Sequence, residues 1–294
     1  MKRILTVLVI ACVALGAHAQ LLWKVTGNGL EKPSFVFGTH HLAPLSILDS
    51  IKGFSPALAE ATHIVGEVDM AGMMSQETML LMRKYMFIEG DTTLKTLLTE
   101  EEFELANEFS RANLMLDLNT APNIRPAFIS NNVTIVIYTK HIKDFNPLEQ
   151  LDLYVQQEAK KAGKTVSGLE TMEFQLDLLF NSQSLQRQAT LLMCSLKDTE
   201  KVFDAAKRLT DAYMAQELDK LYAIAQETNN DQCDSLPGEM EAILDTRNLN
   251  WMEALPEMMK KESTFIAIGA LHLVGDNGLI NLLRKSGYTV EAVD

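Results

Sequence analysis

Two short stretches place a histidine just after an apolar run and a glycine. They are FGTHHL, Phe37–Leu42, and IGALHL, Ile268–Leu273, in a chain with six histidines. Each spells Gly-x-x-His: Gly38 to His41, and Gly269 to His272. A glycine at a strand end permits unusual dihedrals or close backbone approach. The histidine after it emerges at the strand's carboxyl end, where open α/β sheets place ligands. If the two strands are neighbours, His41 and His272 converge, and neutral imidazoles are common metal ligands and bases near neutral pH. A lone His after a strand is more often a hydrogen-bonded loop residue; the matched pair is what makes these two candidates. His40 reads as a neighbouring or structural residue, and His63 and His141 carry no motif.

Carboxylates recur at similar places. Glu67 follows the apolar start of HIVGEVDM, His63–Met70, and Glu170 ends TVSGLE, Thr165–Glu170. A carboxylate on a strand's core side is costly unless paired or bound to a cation. The plain alternatives are a solvent-facing Glu67 and a Glu170 that stabilises the start of the next helix. Two His with one or two carboxylates would suit Mn, Fe, Co or Zn. His-Glu-x-x-His, Gly-x-Ser-x-Gly, Ser-x-x-Lys and phosphate-cradling loops are all missing. Arg247, among apolar helical positions, either orients a carboxylate or substrate carbonyl or forms a surface ion pair.

The elements that must position these residues follow from periodicity. LLWKVTGNGLEKPSFVFG reads as a hairpin whose turn holds Gly27, Asn28 and Gly29. HIVGEVDM reads as a strand, and Ser75 to about Asn119 as helical, with Met79, Met82, Met86 and Phe87 at spacings of three and four. ISNNVTIVIYTK suits strand or helix. A helix is expected from Asn146 as cap and Pro147 in the first turn, with a Leu148, Leu151, Val155, Ala159 stripe and Gly163 as its end. Met172 to about Thr228 reads as two or three helices, with Val202, Ala205, Ala206 and Leu209 inward. Pro237 opens another helix, which Pro256 interrupts or restarts. The chain closes as strand, turn with His, helix and strand. This predicts an α/β (mixed α+β) fold: a central mixed sheet with surrounding helices and a large helical insertion.

The whole chain has 294 residues, 47% hydrophobic and 22% charged, with net charge −13. That is a globular composition, and it argues against nucleic-acid binding, which needs a basic face. Residues 1–19 read as an export signal: Lys2 and Arg3, an apolar run from Ile4 to Leu15, and Ala17-His18-Ala19 before cleavage. Residues 20–294 then form a single domain. The apolar run is short of the ~20 residues of a membrane span. A rival reading makes Cys12 a lipid attachment site. Export leaves Cys194 and Cys233 either as a disulfide or as free thiols.

Taken together, these residues resemble the TraB/GumN family, which includes the animal Tiki proteins. The resemblance rests on both Gly-x-x-His motifs, VGEVDM with Glu67, GLETMEFQL with Glu170, Glu173 and Gln175, TRNLNWM with Arg247 and Asn248, and the closing GALHLVGDNGLINLLRKSGYTVEAV. It implies an erythromycin-esterase/ChaN-like architecture. It also implies a secreted, periplasmic or extracellular metal-dependent hydrolase, a peptidase acting on a peptide or protein, with Mn or Co ahead of Zn. In that reading His41, Glu67 and His272 bind the metal. Glu170 is a general base or further ligand, and Arg247 holds a substrate carboxylate or the oxyanion. The alternative is a non-catalytic inhibitory protein of the same fold that binds a peptide or partner, to which the Met-rich Met70–Met86 segment would lend an adaptable surface.

Overall fold

The structure, a computed structural model, describes residues 20–73 and 75–293. The expected export signal and Cys12 lie outside these residues. β1 (Leu22–Gly27) and β2 (Ser34–Thr39) form the expected antiparallel hairpin, with Trp23 opposite Val36. Its turn carries Gly27, Asn28 and Gly29 through positive φ (80°, 45° and 81°), which explains the Gly-Asn-Gly composition. β3 (His63–Gly66), β4 (Thr165–Gly168), β5 (Thr264–Gly269) and β6 (Tyr288–Ala292) complete a six-stranded sheet in the order β4-β3-β5-β2-β1-β6. β4, β3, β5 and β2 run parallel, and β1 is antiparallel to both β2 and β6. The fold is a mixed α/β one, with thirteen α-helices among the described residues around the mixed sheet.

β2 is buried throughout and β5 nearly so, as expected of central parallel strands covered on both faces. Phe37 and Phe265 meet Phe54 edge-on, at 5.1 and 5.8 Å between ring centroids. The β3–β4 and β4–β5 connections are long and helical. Together they build a second apolar cluster away from the sheet, in which Leu94, Ile124 and Ile129 pack with Leu192. Among the described residues no helix is long and apolar enough to cross a membrane. Cys194 and Cys233 form a disulfide, which settles the open choice about them.

Several local expectations shift. ISNNVTIVIYTK lies in the helix Pro126–His141. Pro126 suits its first turn, and buried Ile129, Val133 and Ile137 lie four apart, so packing outweighs β-branching. The Asn146 helix starts only at Leu151; Asn146 instead caps a turn by accepting from the Leu148 N–H, and Leu148 is exposed. The Ser75–Asn119 stretch is three helices, the last restarted by a Thr99/Glu102 capping box. Met172–Thr228 holds four helices, and in the one at Thr199–Met214 Ala206 faces inward while Ala205 is exposed. The helix Asp245–Lys261 runs on through Pro256, at the cost of one backbone hydrogen bond. β3 ends at Gly66, so Glu67 and Asp69 leave the sheet.

Candidate functional site

Parallel strands end at the same edge of a sheet, and here that edge carries the chemistry. β2 leads into His40 and His41, β3 into Glu67, β4 into Glu170, and β5 into His272. β2 and β5 pair directly, with Thr39 opposite Gly269. The two motif glycines serve close approach. A Cβ on Gly38 would stand 2.8 Å from Leu273 and 3.1 Å from Ala270, so each motif packs on the other. Gly269 lets Glu67 come near, and its N–H donates to Glu67 Oε1 at 2.9 Å.

Arg247 organises the buried side of the site. It projects from the helix Asp245–Lys261 with Asn248 and Trp251, all three buried. Its Nε donates to Glu170 Oε1 (2.8 Å), and Nη2 donates to Glu170 Oε2 (2.7 Å) and Glu67 Oε2 (2.6 Å). Nη1 donates to Ile243 O (3.2 Å) and to His272 Nε2 (3.0 Å). A guanidinium has five N–H groups, and each has an acceptor here. Trp251 stacks on the guanidinium and donates to Glu170 Oε1.

The same bonds fix His272. Because Nε2 accepts from Arg247, the ring proton sits on Nδ1 and donates to Asn248 Oδ1 at 2.8 Å. Asn248 is held in turn by donating to His272 O and Asn277 O. Burial lowers the His272 pKa to about 4; the Glu67 carboxylate works against this and the Arg247 charge adds to it. The ring is neutral near pH 7. Burial works to raise the Glu67 carboxyl, but His272 when charged, Arg247 and the Gly269 N–H outweigh it and hold Glu67 below the usual carboxylate range. Gln175 also donates to Glu67 Oε2, at 3.0 Å.

His41 stands in the opposite state. Its side chain is 69% exposed because it faces a cavity, and its Nδ1 lies 3.3 Å from Asp152 Oδ2. Thr39 steadies Asp152 by donating to Oδ1 at 2.7 Å. Contact with the Asp152 carboxylate raises the His41 pKa to about 9 although enclosure by the protein opposes it, and the charges of Asp152 and Glu67 add to the rise. His41 is an imidazolium near pH 7. His40 is neutral, its pKa lowered to about 4 by burial and by the His41 charge, with Asp152 opposing. Since the Thr210 hydroxyl donates to Ala206 O, His40 Nε2 donates to Thr210.

His40, His41, Glu67, Gln175, Arg247 and His272 line one cavity of about 550 Å³. Its farther walls are largely leucine, with Leu178, Leu191 and Leu244 among them. Glu170 does not line it; that carboxylate lies behind Arg247, with both oxygens engaged. His63 pairs with Ser167, and His141 stacks on Phe203, both outside the cavity lining.

A divalent metal on His41, Glu67 and His272 does not fit this arrangement. His272 Nε2 and Glu67 Oε1 are 3.8 Å apart, but Nε2 is filled by an Arg247 N–H, so the obstacle lies at His272; His41, with Nδ1 toward Asp152, keeps Nε2 open. Among the described residues no three or more His, Cys, Asp or Glu side chains stand arranged as ligands of one metal ion. The role expected of Glu170 meets a different obstacle, because it does not line the cavity where a base would have to act, and each Arg247 N–H is already bonded within the protein. Asp152 went unread in the sequence. It sits in the first turn of a helix beside an apolar stripe, where an acid ordinarily serves the helix dipole. Asn248 and Gln175 are visible only through the family resemblance.

The TraB/PrgY/gumN family model matches residues 21–292, nearly the whole chain. No curated protein and no solved structure matches it.

Proposed function

The chain belongs to the TraB/PrgY/gumN family, and from that premise we propose that it is a hydrolase, exported from the cytoplasm, that cleaves a peptide or protein in the His41–Glu67 cavity. One observation carries this reading: both Gly-x-x-His motifs and Glu67 line the same cavity, with an ionised carboxylate and an imidazolium facing it together. These are the protonation states that a general base and a general acid need before water attacks an amide. Glu67 takes a proton from water, whose oxygen bonds to the substrate carbonyl carbon. The His41 imidazolium, held through Nδ1 by Asp152, faces the oxyanion and then gives its Nε2 proton to the leaving nitrogen as the C–N bond breaks. Arg247, Glu170 and His272 are positioning residues that keep Glu67 ionised and fixed. The Cys194–Cys233 disulfide supports export, because such bonds persist in oxidising compartments.

Mass spectrometry of a defined peptide mixture incubated with the full chain tests this. The wild type is expected to cut, and His41→Ala and Glu67→Gln to lose about a hundredfold or more in rate. Folded wild type that retains intact peptide without cleaving it would reject the hydrolase and favour the inhibitory binding protein.

A further inference from the structure

We propose that Arg247 is the resident cation of this site, filling a coordination place built by Glu67, Glu170 and His272 and keeping divalent metal out of it. Two carboxylates and a neutral imidazole are a donor set suited to a transition-metal dication. Here they converge on one guanidinium, at 2.6 Å from Glu67, 2.7 Å from Glu170 and 3.0 Å from His272. Even the tautomer is the one a metal would need. Asn248 fixes the proton on Nδ1 and leaves the Nε2 lone pair directed at Arg247.

The guanidinium and a metal compete for the same lone pairs. Arg247 is buried, stacked on Trp251 at 4.9 Å, and held by acceptors on all five N–H groups. Swinging it out would strand a buried positive charge and leave two carboxylates facing each other until a metal arrived. The arginine therefore does for the site what a structural cation does: it neutralises the paired carboxylates and fixes the imidazole. This inference does not rest on the hydrolase reading, because metal uptake is read without substrate.

Electron paramagnetic resonance of Mn(II) titrated into the full chain decides it. Wild type is expected to show no uptake that depends on Glu67. Arg247→Ala is expected to bind about one Mn per chain, at least about tenfold tighter than wild type, and adding Glu67→Gln should abolish the gain. Circular dichroism establishes that each variant is folded. A folded Arg247→Ala with no gain in Mn affinity would overturn the proposal. If that variant does not fold, wild type and Glu67→Gln decide alone. Tight wild-type uptake that Glu67→Gln removes would overturn it, and uptake indifferent to Glu67 would support it.

Discussion

At the end of β2, Gly-x-x-His delivers His41 to the mouth of the cavity; at the end of β5 the same spelling delivers His272 into its wall. The strands are adjacent and parallel, and the two motifs pack on one another through Gly38. Yet His41 faces a carboxylate and is charged near pH 7, while His272 faces an amide and a guanidinium and is neutral. The local sequence dictates where each ring leaves the sheet. Its protonation is dictated by surroundings that distant parts of the chain assemble: the Asp152 carboxylate for one, burial with the Arg247 charge adding to it for the other.

That difference should appear first in stability. His272→Ala leaves an Arg247 N–H and the Asn248 carbonyl oxygen without their buried partner, and is expected to cost about 2–4 kcal/mol. Above pH 9, where the ring loses its charge, His41→Ala removes a largely exposed side chain and is expected to stay within about 1 kcal/mol. Urea denaturation of both variants measures this, and equal losses would erase the distinction between wall and mouth.

The second test concerns charge. The folded His41 pKa, about 9, lies above its ordinary 6.5. The contribution of the charged ring to stability is therefore fully present below 6.5 and is lost as pH rises through 9. In Asp152→Asn the paired carboxylate is gone while the Glu67 charge remains, so the midpoint is expected to fall from about 9 toward 6.5. Imidazole resonances followed by NMR report it directly. A midpoint that stays near 9 would show that Asp152 is not the source of the charge. If His41 is the acid, the alkaline limb of peptide cleavage moves down with it.

Much of the frame was legible in the sequence because its signals are local. Gly27, Asn28 and Gly29 announce a hairpin, the apolar runs of β2 and β5 announce buried strands, and Gly287, with φ of 90°, follows the end of the last helix. What stayed open or failed depended on contacts distant in sequence. Ile129, Val133 and Ile137 suit strand or helix until a neighbouring helix covers them. Asn146 looks like a helix cap, but the apolar stripe it would start is buried only from Leu151 onward. The candidate residues could be named one by one, but not their relations. Nothing near Arg247 in the chain tells that two carboxylates and an imidazole will consume its donors, and nothing near Asp152 points to His41, more than a hundred residues away. Spacing thus brings the two motifs to one edge of the sheet, whereas residue types alone do not tell that a guanidinium stands among Glu67, Glu170 and His272.

The smallest effect should come from making the second motif imitate the first. Asn248→Asp puts a carboxylate against His272 Nδ1, as Asp152 stands against His41. An acceptor charge on the ring proton favours imidazolium, so the His272 midpoint is expected to rise from about 4. It should nonetheless stay well below that of His41. The ring remains buried, the Arg247 N–H still faces Nε2, and a proton there would meet a donor rather than an acceptor. The substituted carboxylate also loses the N–H groups given to His272 O and Asn277 O, which should lower stability by about 1–3 kcal/mol. NMR titration of Asn248→Asp, with His272 assigned by its loss in His272→Ala, reads the shift. No rise would mean that burial and Arg247 alone keep the ring neutral; a rise to 9 would mean that the Nδ1 partner sets the state of both histidines and that Arg247 contributes nothing to it.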